Sequence, residues 1–266
     1  MKTRIISAII MIVVLVPVLI MGGTVFKVVL TALGALALYE MIHIKDKKNK
    51  VPIYMKIFAY LTYVFLCLNN ASFHTNYYTV SYQLIALVIF LFLVPVIFIN
   101  DNDRYSFMDA IWLTGITVFI GFAFNLLILI RYYDINYFLY LIFITIVTDT
   151  FALFTGYFIG KHKLCPRISP KKTVEGAIGG TVMGTFVAVA FYLTVINTSI
   201  SLYYIIPITV LLSLVGQLGD LVFSSIKRYF DQKDFGNIIP GHGGVLDRVD
   251  SLIFVALAFI IIIELI

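Results

Sequence analysis

Hydrophobic residues run in long blocks along this chain, and polar residues are confined to the gaps between them. Nine blocks have the length of a membrane-crossing helix: residues 4–21, 24–43, 53–68, 81–99, 109–130, 136–160, 174–196, 202–226 and 249–266. About 20 apolar residues span the hydrocarbon layer as a helix, whereas a barrel would show weak alternation with period two. The pattern therefore predicts an all-α integral membrane protein, a polytopic bundle of about nine transmembrane helices. No stretch is long or polar enough for a separate soluble domain. The expectation is a single membrane domain, 1–266, with residues 1–135 as scaffold and 136–266 carrying the chemistry. The first block follows Lys2 and Arg4 like a secretory signal. With no clear small-residue cleavage site after Met21, an uncleaved first helix is expected.

Charge gives the threading. Lys2 and Arg4, then Lys45, Lys47, Lys48, Lys50 and Lys56, then Arg104, all fall on one side if nine helices follow in order. So do Lys161, Lys163, Arg167, Lys171 and Lys172, and finally Lys227, Arg228, Lys233 and Arg248. The other side receives only Lys27 and Arg131. Basic loops stay in the cytoplasm, which places the N-terminus inside and the C-terminus outside. Two polar loops, 161–173 and 227–248, then face the cytoplasm together.

Composition agrees: 61% of residues are hydrophobic, 12% are charged, and mean hydropathy is +1.03. The formal charge of +5 is explained by the topology of the loops, so no nucleic-acid partner is inferred. Cys67 and Cys165 fall on opposite faces and are expected to be unbridged. Asn69, Asn70, His74 and Asn76 read as a solvated connection, and Glu40 and His43 as interfacial residues at a helix end.

Two carboxylates lie deep in apolar blocks. Asp149 stands about 16 Å, and Asp220 about 10 Å, from the cytoplasmic ends of their helices at 1.5 Å per residue. A carboxylate in hydrocarbon costs about 2.5–3.5 kcal/mol even on lenient scales, so each needs a cation, a donor or a wet cavity. Gly216, Asp220, Ser224, Lys227 and Arg228 share one helical face by i+3/i+4 spacing. Asp149, Gly156 and Gly160 share another, and Gly176, Gly180 and Gly184 continue a small-residue pattern that permits close helix contact. Such packing would hold the carboxylates near one another.

The loops add phosphate chemistry. Ser169 or Thr173 can cap the next helix, whose first turn holds Glu175, and Lys171 and Lys172 stand beside that N-terminus. The second polar segment, Ser224–Ser251, reads SSIKRYFDQKDFGNIIPGHGGVLDRVDS. Pro240-Gly241-His242-Gly243-Gly244 is permissive backbone that can offer N–H groups to an anion. Asp247 and Asp250 follow at the start of the last helix. Such carboxylates suit Mg²⁺, which borrows phosphate oxygens from its substrate, and there is no His/Cys set at a zinc spacing.

At these residues the chain resembles the phosphatidate cytidylyltransferases, also called CDP-diacylglycerol synthases. Ser224, Lys227, Arg228, Lys233, Asp234, Gly236, Pro240, His242, Gly243, Gly244, Asp247, Arg248 and Asp250 fit that family's signature without a gap. Ser169–Gly176 (S-P-K-K-T-V-E-G) and Gly216–Asp220 (G-Q-L-G-D) are also similar to it. One departure is Leu153, four residues after Asp149, where the family often carries an aromatic residue.

The resemblance implies transfer of a cytidylyl group from CTP to phosphatidic acid, a Mg²⁺ requirement with a second cation possible, and a homodimer in the cell membrane. A lipid phosphate is already largely ionised near neutral pH, with a second pKa of about 6. The reaction therefore needs positioning and charge neutralisation rather than a strong base. Asp220 and Asp247 are the first candidates for the metal, followed by Asp149 and Asp250. Lys171, Lys172, Lys227 and Arg248 are expected to hold phosphates, with Ser169, Thr173, Ser224, Arg228, Gly243 and Gly244 as further contacts. His242 is expected to touch a phosphate or orient a ligand rather than act as the base. The alternatives are a CTP-dependent polyprenol kinase, an ion transporter and a non-catalytic scaffold.

Overall fold

The computed structural model describes residues 2–68, 82–99, 105–196 and 201–263. The expected connection at Asn69, Asn70, His74 and Asn76 lies outside the described residues, as does Arg104. The chain divides into two compact units, Met1–Leu129 with Asp234–Leu246, and Ile130–Lys233 with Asp247–Ile266. Asp234–Leu246, which the sequence groups with the C-terminal half, thus clusters with the N-terminal helices.

The first unit holds α1 (Lys2–Met21), α2 (Gly23–Asp46), α3 (Ile53–Leu68), α4 (Tyr82–Leu93), α5 (Pro95–Phe98) and most of α6 (Phe107–Tyr133). The fourth apolar block breaks at Pro95, which lacks the N–H that would continue the ladder. Leu38, Met41, Met55, Tyr63, Phe92 and Phe124 are buried in this unit. Several of its polar groups are paired within it. Tyr63 donates to the Thr31 carbonyl at 2.8 Å, and Asn125 donates to the carbonyls of Leu66 and Cys67. Lys45 pairs with Asp109, and Lys56 with Asp46.

The second unit holds α7 (Ile135–Phe158), α8 (Val174–Phe191), α9 (Leu202–Tyr229) and α10 (Leu246–Ile263) from Asp247 onward. A π-helical turn, Tyr192–Ile196, extends α8. Between α7 and α8 the structure departs from a purely helical protein. Strand β1 (Lys163–Cys165) pairs antiparallel with β2 (Ser169–Thr173) in a short hairpin.

Small residues bring α7 and α8 together. A Cβ on Gly180 would lie 2.6 Å from the Thr148 carbonyl oxygen, and one on Gly176 2.6 Å from that of Ala152. Only glycine admits such an approach of backbone to backbone. Polar rungs then fix the register of α9. Tyr140 and Thr209 are 2.6 Å apart, Thr148 and Ser213 2.8 Å, and Gln217 donates to Thr181 Oγ1 at 2.8 Å.

Among the described residues, five segments are long and apolar enough to cross a membrane: Gly23–Asp46, Phe107–Tyr133, Ile135–Phe158, Val174–Ile196 and Leu202–Tyr229. Shorter apolar helices cover Ile5–Met21, Ile53–Leu68 and Leu84–Phe98. Large apolar side chains also face outward along the helices, Phe154, Ile178, Val182 and Phe186 among them. Water would penalise that surface and lipid would not. The chain is a multi-pass membrane protein built almost wholly of helix.

Candidate active site

The polar face of α9 organises the second unit's site. Going up the helix from Ser213 and Gln217, the next residues on that face are Asp220, Ser224 and Lys227, spaced by three or four. Ser224 donates to Asp220 Oδ1 at 3.2 Å. The other carboxylate oxygen receives the ammonium of Lys172, 2.6 Å away.

Lys172 reaches Asp220 because of the hairpin. Along β2 the side chains pass from exposed at Lys171 to half-buried at Lys172 and buried at Thr173. The hairpin is fastened at both ends. Thr173 is the cap of α8, its hydroxyl accepting from Gly176 N at 3.1 Å, which decides between the two candidate caps. Thr173 is buried against Gly156 and Gly160, so its side chain works as a structural joint. Glu175 accepts from the backbone N–H groups of Lys161 and His162, and its Oε1 lies 2.6 Å from His162 Nδ1. Arg228, at the top of α9, donates to the carbonyls of Ile168 and Gln232 and so ties the hairpin turn to the helix.

Two further acids join the group. Ser251 on α10 links them, since its hydroxyl donates to Asp149 Oδ2 at 3.3 Å and its backbone N–H to Asp250 Oδ1 at 2.8 Å. Asp149, Asp220 and Asp250 act on one another electrostatically, and the charge of Lys172 reaches Asp149. Asp247, one turn before Ser251, makes a separate ion pair with Lys227 at 2.7 Å. Both side chains of that pair are nearly enclosed, at 10% and 5% exposure. The charge of Lys227 also reaches Asp250. Arg248 is exposed on the first turn of α10, and Ser169 is half-buried at the start of β2. Leu153 is exposed on the outer face of α7, in keeping with lipid contact.

The donor set can be tested against Mg²⁺. Among the described residues, no three acidic, histidine or cysteine side chains form a ready metal cage. Mg²⁺ does not need one, because it is usually held by one or two carboxylates with substrate phosphates and water. A cluster of mutually repelling carboxylates, balanced by lysine ammonium groups, fits that mode of binding.

His242, Gly243 and Gly244 belong to the first unit. There Pro240 and Gly241 occupy the corners of a tight turn, closed by the His242 N–H donating to the Ile239 carbonyl at 2.9 Å. Gly241 has φ 78°, which the second corner of a type II turn requires. His242 Nδ1 lies 2.7 Å from the hydroxyl of Ser7 on α1.

The residue that sequence reasoning misjudged is Glu40. It is 1% exposed, and its carboxylate accepts from Val245 N at 2.8 Å and Leu246 N at 2.9 Å. The N–H groups that follow this loop, those of Val245 and Leu246, therefore receive a carboxylate from the chain itself. The available signal was an acid flanked by Tyr39 and Met41, well inside an apolar run. Ser7 carried no comparable signal.

This helical membrane protein thus pairs lysines with carboxylates of α9 and α10. The chain belongs to the cytidylyltransferase family, whose pattern matches residues 2–266. It is 36% identical over 256 residues to the phosphatidate cytidylyltransferase of Staphylococcus haemolyticus (strain JCSC1435), covering 96% of each chain. The same identity holds over 255 residues with that of Staphylococcus aureus (strain COL), again covering 96% of each. With that of Bacillus subtilis (strain 168) it holds over 258 residues, covering 96% of this chain and 94% of the relative.

Proposed function

We propose that this chain transfers the cytidylyl group of CTP to phosphatidic acid, releasing CDP-diacylglycerol and pyrophosphate. A phosphate oxygen of the lipid attacks the α-phosphorus of CTP. The bond from that phosphorus to the bridging oxygen breaks, and its electrons leave on pyrophosphate. The observation that carries the proposal is the cluster of Asp149, Asp220 and Asp250 with Lys172, joined to Lys227–Asp247, in a chain of this family.

The residues divide the work by charge. Lys172 lies where a phosphate beside Asp220 would meet an ammonium, and Lys171 and Arg248 extend the positive rim. Lys227 pairs with Asp247 and orients its carboxylate. Asp220 and Asp250, with Asp149 and Asp247, are the ligands available to Mg²⁺, with capacity for a second cation. A metal ion held there would supply neutralisation of phosphate charge. His242, Gly243 and Ser169 are assigned to ligand contact, while Ser224 steadies Asp220 and Arg228 ties the lysine-bearing hairpin to α9. No strong general base is required, because the attacking phosphate is already anionic.

The finer topology belongs to the same proposal. Nine helices cross the cell membrane with the N-terminus and both basic loops in the cytoplasm, where CTP is available, and the C-terminus outside. The active form is a homodimer.

Purified protein in phosphatidic acid vesicles should release pyrophosphate from CTP only when the lipid is present. Chelation of divalent ions should reduce that release at least about 100-fold, the order contributed by electrostatic transition-state stabilisation. Added Mg²⁺ should restore it. Unchanged release under chelation would remove the metal from the mechanism, and lipid-independent release would remove the acceptor.

A further inference from the structure

Glu40 stands far from the candidate catalytic residues in sequence, yet it holds the segment that leads into two of them. Its position in α2 is six residues before the helix ends at Asp46, a depth of about 9 Å at 1.5 Å per residue. A buried carboxylate needs donors, and Glu40 receives them from the backbone of Val245 and Leu246. Leu246 is the first residue of α10. The helix begins with unsatisfied N–H groups and the positive end of its dipole, and a carboxylate placed there is a cap. The cap comes from 206 residues away rather than from the preceding loop.

The glycines make room for it. A Cβ on Gly244 would lie 2.4 Å from Glu40 Oε1 and 2.6 Å from Oε2, and one on Gly236 would lie 3.0 Å from Oε1. Gly244 does not have the positive φ of Gly241 and Gly243. Its lack of a side chain therefore serves the approach of the Glu40 carboxylate rather than an unusual backbone angle.

We infer that Glu40 is a positioning residue for the cytidylyl-transfer reaction: by capping α10 through Val245 and Leu246, it orders the first turn of that helix, which leads into Asp247 and Asp250. The inference rests on the proposed function. Asp247 follows Leu246 directly, so freedom at the cap becomes freedom of the carboxylates. Displacing a reacting constellation by about 1 Å can cost about 100-fold in rate.

The test is a double-mutant cycle on Glu40→Ala and Gly244→Ala in the full-length protein. Glu40→Ala removes the cap, and Gly244→Ala drives a methyl group into the space the carboxylate needs. Each alone should lower kcat about 10–100-fold, leave KM for CTP within about threefold, and raise the Mg²⁺ concentration needed for half-maximal rate. Because both break the same contact, the double variant should be no slower than Glu40→Ala alone.

Hydrogen exchange supplies a readout independent of activity. The amides of Val245 and Leu246 should exchange at least about tenfold faster in either single variant, while those of Leu141 and Ile144 in α7 keep their protection. Should Glu40→Ala fail to fold, Gly244→Ala carries both measurements. Wild-type kcat in either variant, additive losses in the cycle, or unchanged exchange at Val245 and Leu246 would overturn the inference. If the wild-type protein transfers no cytidylyl group but the exchange result holds, the cap stands and the assigned reaction fails.

Discussion

Asp220→Asn should abolish cytidylyl transfer while leaving the protein folded. Asparagine has nearly the same shape and can still accept the hydrogen bond from Ser224. It cannot balance the ammonium of Lys172, which lies 2.6 Å away, and it is a poor ligand for Mg²⁺. Asp220 also faces Asp149 and Asp250, so removing its charge relieves repulsion among three carboxylates. Loss of kcat should reach at least about 100–1,000-fold, the magnitude seen when one electrostatic contact to a transition state is removed. The thermal unfolding midpoint in detergent should equal that of the wild type or exceed it. Activity within threefold of wild type would exclude Asp220 from the site.

Lys227→Met should do the reverse, damaging stability as well as rate. Lys227 lies 2.7 Å from Asp247, whose side chain is 5% exposed. Taking away one partner of an enclosed ion pair leaves a desolvated charge and costs about 3–5 kcal/mol. Methionine keeps the length of the stem, so the loss is electrostatic rather than a cavity. Adding Asp247→Asn removes the stranded charge, and the double variant should recover most of the unfolding midpoint without recovering activity. Separating the two readouts identifies the pair as both a structural tie and a part of the chemistry. A double variant no more stable than Lys227→Met would show that Asp247 does not depend on that ammonium.

Each of the nine apolar blocks contains helix among the described residues, because block length and hydropathy are local properties. The fourth block is interrupted at Pro95, a break visible in the residue itself. The hairpin of Lys163–Cys165 and Ser169–Thr173 was not legible. Its strands are short, lysine-rich and interrupted by Pro170, so no alternating pattern announces them.

The α9 face was legible for the opposite reason. Asp220, Ser224 and Lys227 are placed by helical spacing alone, and intramembrane acids are rare enough to attract notice. What spacing does not supply is pairing across long separations. The bond of Lys172 to Asp220 depends on strand orientation, and that of Lys227 to Asp247 on where α10 begins. Glu40 was misjudged on the same ground. Its donors are main-chain groups of Val245 and Leu246, and a backbone N–H has no signature in sequence.

The most direct test of the account follows the phosphorus atoms of CTP. Wild-type protein in phosphatidic acid vesicles with Mg²⁺ is given CTP labelled at the α-phosphorus or at the γ-phosphorus, and the label is traced to lipid or water. The account predicts that the α-label enters the lipid fraction as CDP-diacylglycerol and that the γ-label appears in water as pyrophosphate. Transfer of the γ-label to lipid with release of CDP would mean a kinase, and would contradict the account at its centre.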